Sequence, residues 1–187
     1  ELAPFEPGSP NGLQNHNIDN GTPGGGTVWV RCGGTCAVAG TITANGGAAQ
    51  YSSGSGGSIW ITCGTLSGTG TLEADANSVS QSAGGRISVV LTTPGAGFGN
   101  WESRIHAWGT GSGAPGTIYL QDGDQADGYG TLIVDSNGTS RSGYTTINGN
   151  VTDADVTVRF SVKGLGVADD EGGELVIGQT ALDEEGG

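Results

Sequence analysis

Positive charge is scarce in this chain: Lys and Arg total 6 against 19 Asp and Glu, a formal net charge of −13 over 187 residues. So few cations leave little with which to neutralise phosphate, which excludes nucleic acid and anionic membrane surfaces as partners. No apolar run approaches the roughly 20 residues of a membrane-crossing helix. No apolar period of three to four residues persists either, so helix content is expected to be close to nil. The first residues carry neither the basic nor the apolar region of a secretory signal. With the start at Glu1 and the finish in Glu184-Glu185-Gly186-Gly187, the expectation is a fragment of a larger parent. With only His16 and His106 beside three cysteines, a structural zinc site is not expected.

What the chain has in excess is glycine, 39 residues, with many Ser, Thr and Asn. Without pattern, such a bias reads as disorder, but here glycine falls between short periodic segments. Residues 56–75, GGSIWITCGTLSGTGTLEAD, form one unit in which Ile59, Ile61 and Cys63, then Leu72 and Ala74, alternate with polar residues, the period of strands with one buried face. The first strand recurs as Thr27–Cys32, Arg86–Leu91 and Thr117–Asp122. The second recurs as Gly40–Ala44, Ser103–Ala107 and Gly130–Val134, and Cys36–Ile42 aligns with Leu66–Leu72 without a gap. A repeat of this length, with paired short strands and glycine turns, predicts an all-β stacked architecture: a β-solenoid of about six coils spaced about 4.8 Å apart.

The expected organisation is an extended lead-in and N-terminal cap over residues 1–26, where Leu2 and Phe5 cover the open end of the first coil. A single solenoid domain over 27–187 follows, with regular coils over 27–138 and degenerate ones over 139–187. Trp29, Thr41 and Thr43 are expected to face outward in the first coil, and Pro94–Gly97 to widen the third before Phe98 and Trp101.

The segments GSIWIT, TLSGTGTL, PGTIYL and YGTLIVD at residues 57–62, 65–72, 115–120 and 129–135 resemble the glycine-rich repeat regions of large bacterial surface proteins. The lead-in Phe5-Glu6-Pro7-Gly8-Ser9 is similar to the segment that precedes the first coil in such proteins. The resemblance implies a right-handed parallel β-helix of the pectin-lyase-like class, at the cell surface or outside the cell. That fold hosts lyases, hydrolases, adhesins and fibre shafts alike, so it fixes no activity.

Four groups of residues are candidates for chemistry. Trp29, Trp60 and Tyr119 fall at one outward position of successive coils, interrupted by Ser88. Flat aromatic faces stack on sugar rings, so this row is the candidate glycan-binding surface, set against the reading that inter-coil loops cover it. Asp122, Asp124 and Asp127 share a glycine-flanked loop that suits calcium, set against an ordinary solvated turn. Asp169, Asp170, Glu171 and Glu174 form a second acidic cluster with the same two readings. Cys32, Cys36 and Cys63 are disulfide candidates; Cys32–Cys36 is favoured over Cys32–Cys63 because its turn is local, and a bare inward ladder of thiols is the third reading. The sequons at Asn20, Asn137 and Asn150 arise readily by chance in this composition.

Neither a calcium site beside an Arg or Lys base nor a row of aspartates is assembled along any one strand, and His106 has only Glu102 as a nearby acidic residue. The expected role is therefore structural or adhesive rather than enzymatic: a rigid extracellular stalk or fibre subunit that binds polysaccharide or stacks head to tail on itself. The alternative is a polysaccharide-degrading domain with calcium at Asp122, Asp124 and Asp127.

Overall fold

The computed structural model describes residues 5–10, 21–48, 53–77, 81–137, 143 and 145, and the backbone of residues 157–160. The expected coils over 139–187, the acidic cluster at 169–174 and the sequons at Asn20 and Asn150 lie outside these residues or rest on that one strand. The protein is all-β: eleven short strands and a single six-residue 3-10 helix, Gly99–Arg104, account for the regular structure among the described residues.

The strands are β1 (Thr27–Arg31), β2 (Thr35–Ala37), β3 (Thr41–Thr43), β4 (Ser58–Cys63), β5 (Thr65–Ser67), β6 (Thr71–Glu73), β7 (Arg86–Leu91), β8 (Ile105–His106), β9 (Thr117–Gln121), β10 (Thr131–Val134) and β11 (Thr157–Phe160). They form three sheets, ordered β1-β4-β7-β9-β10-β11, β2-β5 and β3-β6-β8. From β1 through β9, every pairing between these strands is parallel. Each strand therefore lies against its counterpart in the next repeat, and the pairing register follows the sequence alignment: Val28↔Ile59↔Ile87↔Ile118 and Ile42↔Leu72↔Ile105.

Alternation dictates which side chains go inside. Ile59, Ile61, Cys63, Leu72, Ile87, Val89, Leu91, Ile105, Ile118 and Leu120 are buried in one apolar cluster, with Val28, Val30, Cys32, Cys36 and Ile42 packed against it at the β1 end. On the outer faces, polar side chains pair up the stack, as in Thr35 with Thr65 at 2.8 Å and Thr41 with Thr71 at 2.9 Å, each pair 30 residues apart in sequence. In the third repeat, Phe98 and Trp101 are buried and Arg104 lies over the Trp101 ring at 5.8 Å. There the 3-10 helix takes the place of a second short strand.

Glycine is required where the end of each repeat meets its beginning. A β-carbon on Gly25, Gly56 or Gly84 would lie 1.9, 2.0 or 1.9 Å from the carbonyl oxygen of Ala44, Ala74 or Ala107 respectively. The same three carbonyls accept the N–H of Gly57, Gly85 and Gly116, each at 2.7 Å, tying one repeat to the next. Backbone meets backbone at this corner, and no larger residue fits.

The lead-in departs from the expected cap. Phe5 is 65% exposed rather than covering the first repeat. The segment instead crosses three repeats: Thr27 Oγ donates to the Phe5 carbonyl, Ser58 Oγ donates to the Glu6 carbonyl, and Glu6 pairs with Arg86 at 3.1 Å.

The expected fourth repeat also differs. β10 does not stack on β8; it turns back and pairs antiparallel with β9, Leu132 opposite Tyr119, and β11 then pairs parallel with β10. The turn between β9 and β10 is closed by side chains. Asp122 Oδ1 accepts the N–H groups of Asp124 and Gln125, Gln121 Oε1 accepts that of Gly128, and Tyr119 Oη accepts that of Gly130. Gly128 supplies the positive φ of 90° that the reversal needs.

Candidate functional site

Sheet register brings the aromatic row together as the repeat alignment implies, Trp29↔Trp60↔Ser88↔Tyr119. Trp29 and Trp60 stack with centroids 4.9 Å apart and planes 8° from parallel. Trp29 is 64% exposed, and β1 is the edge strand of its sheet, so among the described residues one face of this indole has no neighbouring strand. Further along, the row is covered: Trp60 is half-buried, Ser88 is buried, and Tyr119 is tied into the β9–β10 turn by its bonds to Gly130 and Gln121. Burial, reinforced by the charge of Asp127, pushes the Tyr119 phenol above its usual range. Of the three candidates, only Trp29 presents an open platform.

A second constellation lies on the outer face of β3-β6-β8 and was not singled out from sequence. His106 Nδ1 is 2.8 Å from Asp75 Oδ2, and its Nε2 is 3.8 Å from Glu73 Oε1. Trp108 stacks on the imidazole at 3.9 Å and donates its backbone N–H to Asp75 Oδ1 at 2.6 Å. From the first repeat, Asn45 Oδ1 accepts the Asp75 N–H at 2.7 Å and Asn45 Nδ2 donates to Glu73 Oε2 at 3.3 Å; Thr71 also donates to Glu73. The side chains of His106 and Asp75 are 14% and 15% exposed. Within a strand His106 has no such partner, but the alignment of Gly70–Ala74 with Ser103–Ala107 sets Glu73 directly beside it, as the register confirms. That alignment carried the signal. Chemically, an Asp–His pair flanked by a second carboxylate is able to move protons, while its bonding to three successive repeats makes it a polar strut.

The three cysteines are free thiols, so the favoured Cys32–Cys36 bond is not formed in this structure. The geometry nonetheless gathers them. The Cys32 N–H continues the β1–β4 ladder to the Thr62 carbonyl, which sets Cys32 beside Cys63, and Cys32 and Cys36 both lie near enough to Cys63 to raise its ionisation. Cys32 Sγ also contacts the Gly34 carbonyl at 3.5 Å. Burial pushes the Cys63 thiol up to about 12, and burial with the neighbouring Cys32 raises Cys36.

The aspartates of the β9–β10 turn accept from separate donors. Asp122 closes the turn, Asp124 Oδ1 accepts the Gly95 N–H at 2.8 Å, and Asp127 Oδ1 faces Gln121 Nε2 at 3.4 Å. Each carboxylate serves a different backbone or side-chain donor, and no group of His, Cys, Asp or Glu able to hold a metal ion occurs among the described residues.

A cleft of about 370 Å³ lies beside the lead-in, lined by Pro7, Gly8, Ser9, Gly84, Gly85 and Arg86 among others, with no carboxylate or imidazole side chain in its wall among the described residues. In comparisons with known proteins, no family model, curated protein or solved structure matches this chain.

Proposed function

We infer that residues 27–121 form a parallel β-helix, right-handed as parallel crossovers are, and that it serves as a rigid structural or adhesive segment of an extracellular or cell-surface protein. The observation that carries this is the parallel register of three ladders, the longest running through β1-β4-β7-β9, over one buried apolar cluster, closed at a backbone-to-backbone glycine corner. Such a body resists bending because each repeat is bonded along its length to the next. The exposed face of Trp29 supplies a place for a sugar ring to stack, extending the Trp29–Trp60 pair by one layer. β1, β2 and β3 stand at the ends of their sheets, which suits head-to-tail addition of a second copy; electron micrographs at high concentration would then show filaments, and short single particles alone would remove self-stacking.

The test is co-sedimentation of the purified chain with insoluble polysaccharides, with soluble sugar products assayed in the same tubes. Binding without products, weakened by Trp29→Ala, is expected. Release of products would overturn the structural role and favour a second reading, a polysaccharide-degrading domain acting through Asp75 and His106; His106→Gln would then abolish release.

A further inference from the structure

Cys32, Cys36 and Cys63 have no part in the function inferred above, yet the fold collects all of them at one point of its interior. Cys63 is fully buried, while Cys32 and Cys36 are only partly covered at the β1 end. Neighbouring residues of adjacent parallel strands have α-carbons about 4.8 Å apart, inside the range of about 4.4–6.8 Å that a disulfide spans. Cys32 and Cys63 come next in line after the Val30↔Ile61 and Arg31↔Thr62 pairs, and the Cys32 N–H bonds to the Thr62 carbonyl as the next rung of that ladder.

We propose that this cluster is a thiol–disulfide exchange site for a low-molecular-weight disulfide of the glutathione type, and that it ends in a Cys32–Cys63 bond linking the first two repeats while Cys36 stays reduced. Entry is at Cys32 rather than Cys63, since Cys63 has no exposed surface, and Cys32 rather than the partly covered Cys36 lies next to Cys63 along the β1–β4 ladder. The Cys32 thiolate attacks one sulfur of the external disulfide, breaking its S–S bond and expelling one thiolate. Cys63 then gives its proton to solvent and attacks the Cys32 sulfur, expelling the second small thiolate, which is protonated. Two protein thiols are oxidised and one external disulfide is reduced to two thiols, so electrons and protons balance. The high-lying ionisation of Cys63 makes the second step the slow one and accelerates it with rising pH.

The experiment incubates the folded chain with oxidised glutathione, quenches with acid, and traps remaining thiols with N-ethylmaleimide in denaturant before peptide mapping. The expected product has lost two hydrogens, carries its single maleimide on Cys36, and keeps its halves joined after chymotryptic cleavage at Tyr51, which lies between Cys36 and Cys63. The same reaction in denaturant is expected to label Cys63 instead, because without the fold the shortest loop, Cys32–Cys36, closes first. A maleimide on Cys32 or Cys63 in the folded reaction, a persistent glutathione adduct, or three labelled cysteines would each overturn the proposal.

Discussion

Replacing Gly56 by alanine tests the glycine corner. The new β-carbon would lie 2.0 Å from the Ala74 oxygen and 2.5 Å from the Gly85 nitrogen, and those two atoms are themselves joined by a hydrogen bond of 2.7 Å. Both neighbours are backbone, so neither swings aside as a flexible side chain would. Overpacking of this kind costs about 1–3 kcal/mol, and disrupting the Gly85–Ala74 bond adds about 1 kcal/mol. The smaller entropy of the unfolded alanine chain returns about 0.4–1 kcal/mol. The net expectation is a loss of about 1–3.6 kcal/mol, or a Tm lower by roughly 2–14 °C for a domain of this size. Gly40→Ala is the control: nothing lies within 4 Å of a β-carbon there, and Gly40 is not among the positive-φ glycines. It is expected to be neutral or slightly stabilising. Thermal melts of both variants, followed by tryptophan fluorescence, decide the matter. A Gly56→Ala melt within a degree or so of wild type, or equal losses in the two variants, would refute the backbone-contact explanation.

Leu72→Ala, at a fully buried position of β6 flanked by Ile42 and Ile105, should cost about 2–5 kcal/mol in urea denaturation. Tyr119→Phe removes the acceptor for Gly130 N–H and the donor to Gln121, and should cost about 1–2 kcal/mol; hydrogen exchange should quicken at Gly130 and leave β4 unchanged. The raised ionisation of Cys63 gives a definite pH dependence. The folded state holds that proton up to about pH 12 while the unfolded chain releases it near 9.0. The unfolded state therefore binds fewer protons between those values, and stability, full below pH 9.0, falls as pH rises toward 12. Urea midpoints measured across that window should decline in the wild type and decline less in Cys63→Ala.

Much of the fold was legible because alternation and repeat alignment report on the same thing, which residues face inward and which lie over one another. Val28, Ile59, Ile87 and Ile118 could be aligned by eye, and the register follows that alignment. Strand direction is a different matter. Thr131–Val134 alternates in the same way whether it runs parallel or antiparallel, and its reversal is decided by Gln121, Asp122, Gly128 and Tyr119 acting through hydrogen bonds across the turn. The partners of the loop aspartates were hidden for the same reason: three carboxylates close in sequence are taken up by three separate donors. The His106 constellation escaped a strand-by-strand search because Asp75 is 31 residues away and Asn45 another 30 from Asp75. In a chain that stacks repeats, chemical neighbours are found by reading down the alignment.

The parallel stacking itself is tested most directly by cross-linking. In a background of Cys32→Ser, Cys36→Ser and Cys63→Ala, the pair Thr41→Cys/Thr71→Cys replaces two hydroxyls that now lie 2.9 Å apart on exposed outer faces. Mild oxidation should close a disulfide between these positions rapidly in the folded protein, whereas the out-of-register pair Thr41→Cys/Thr69→Cys should close far more slowly. Equal rates for the two pairs, or no bond between positions 41 and 71, would contradict the stacked parallel register.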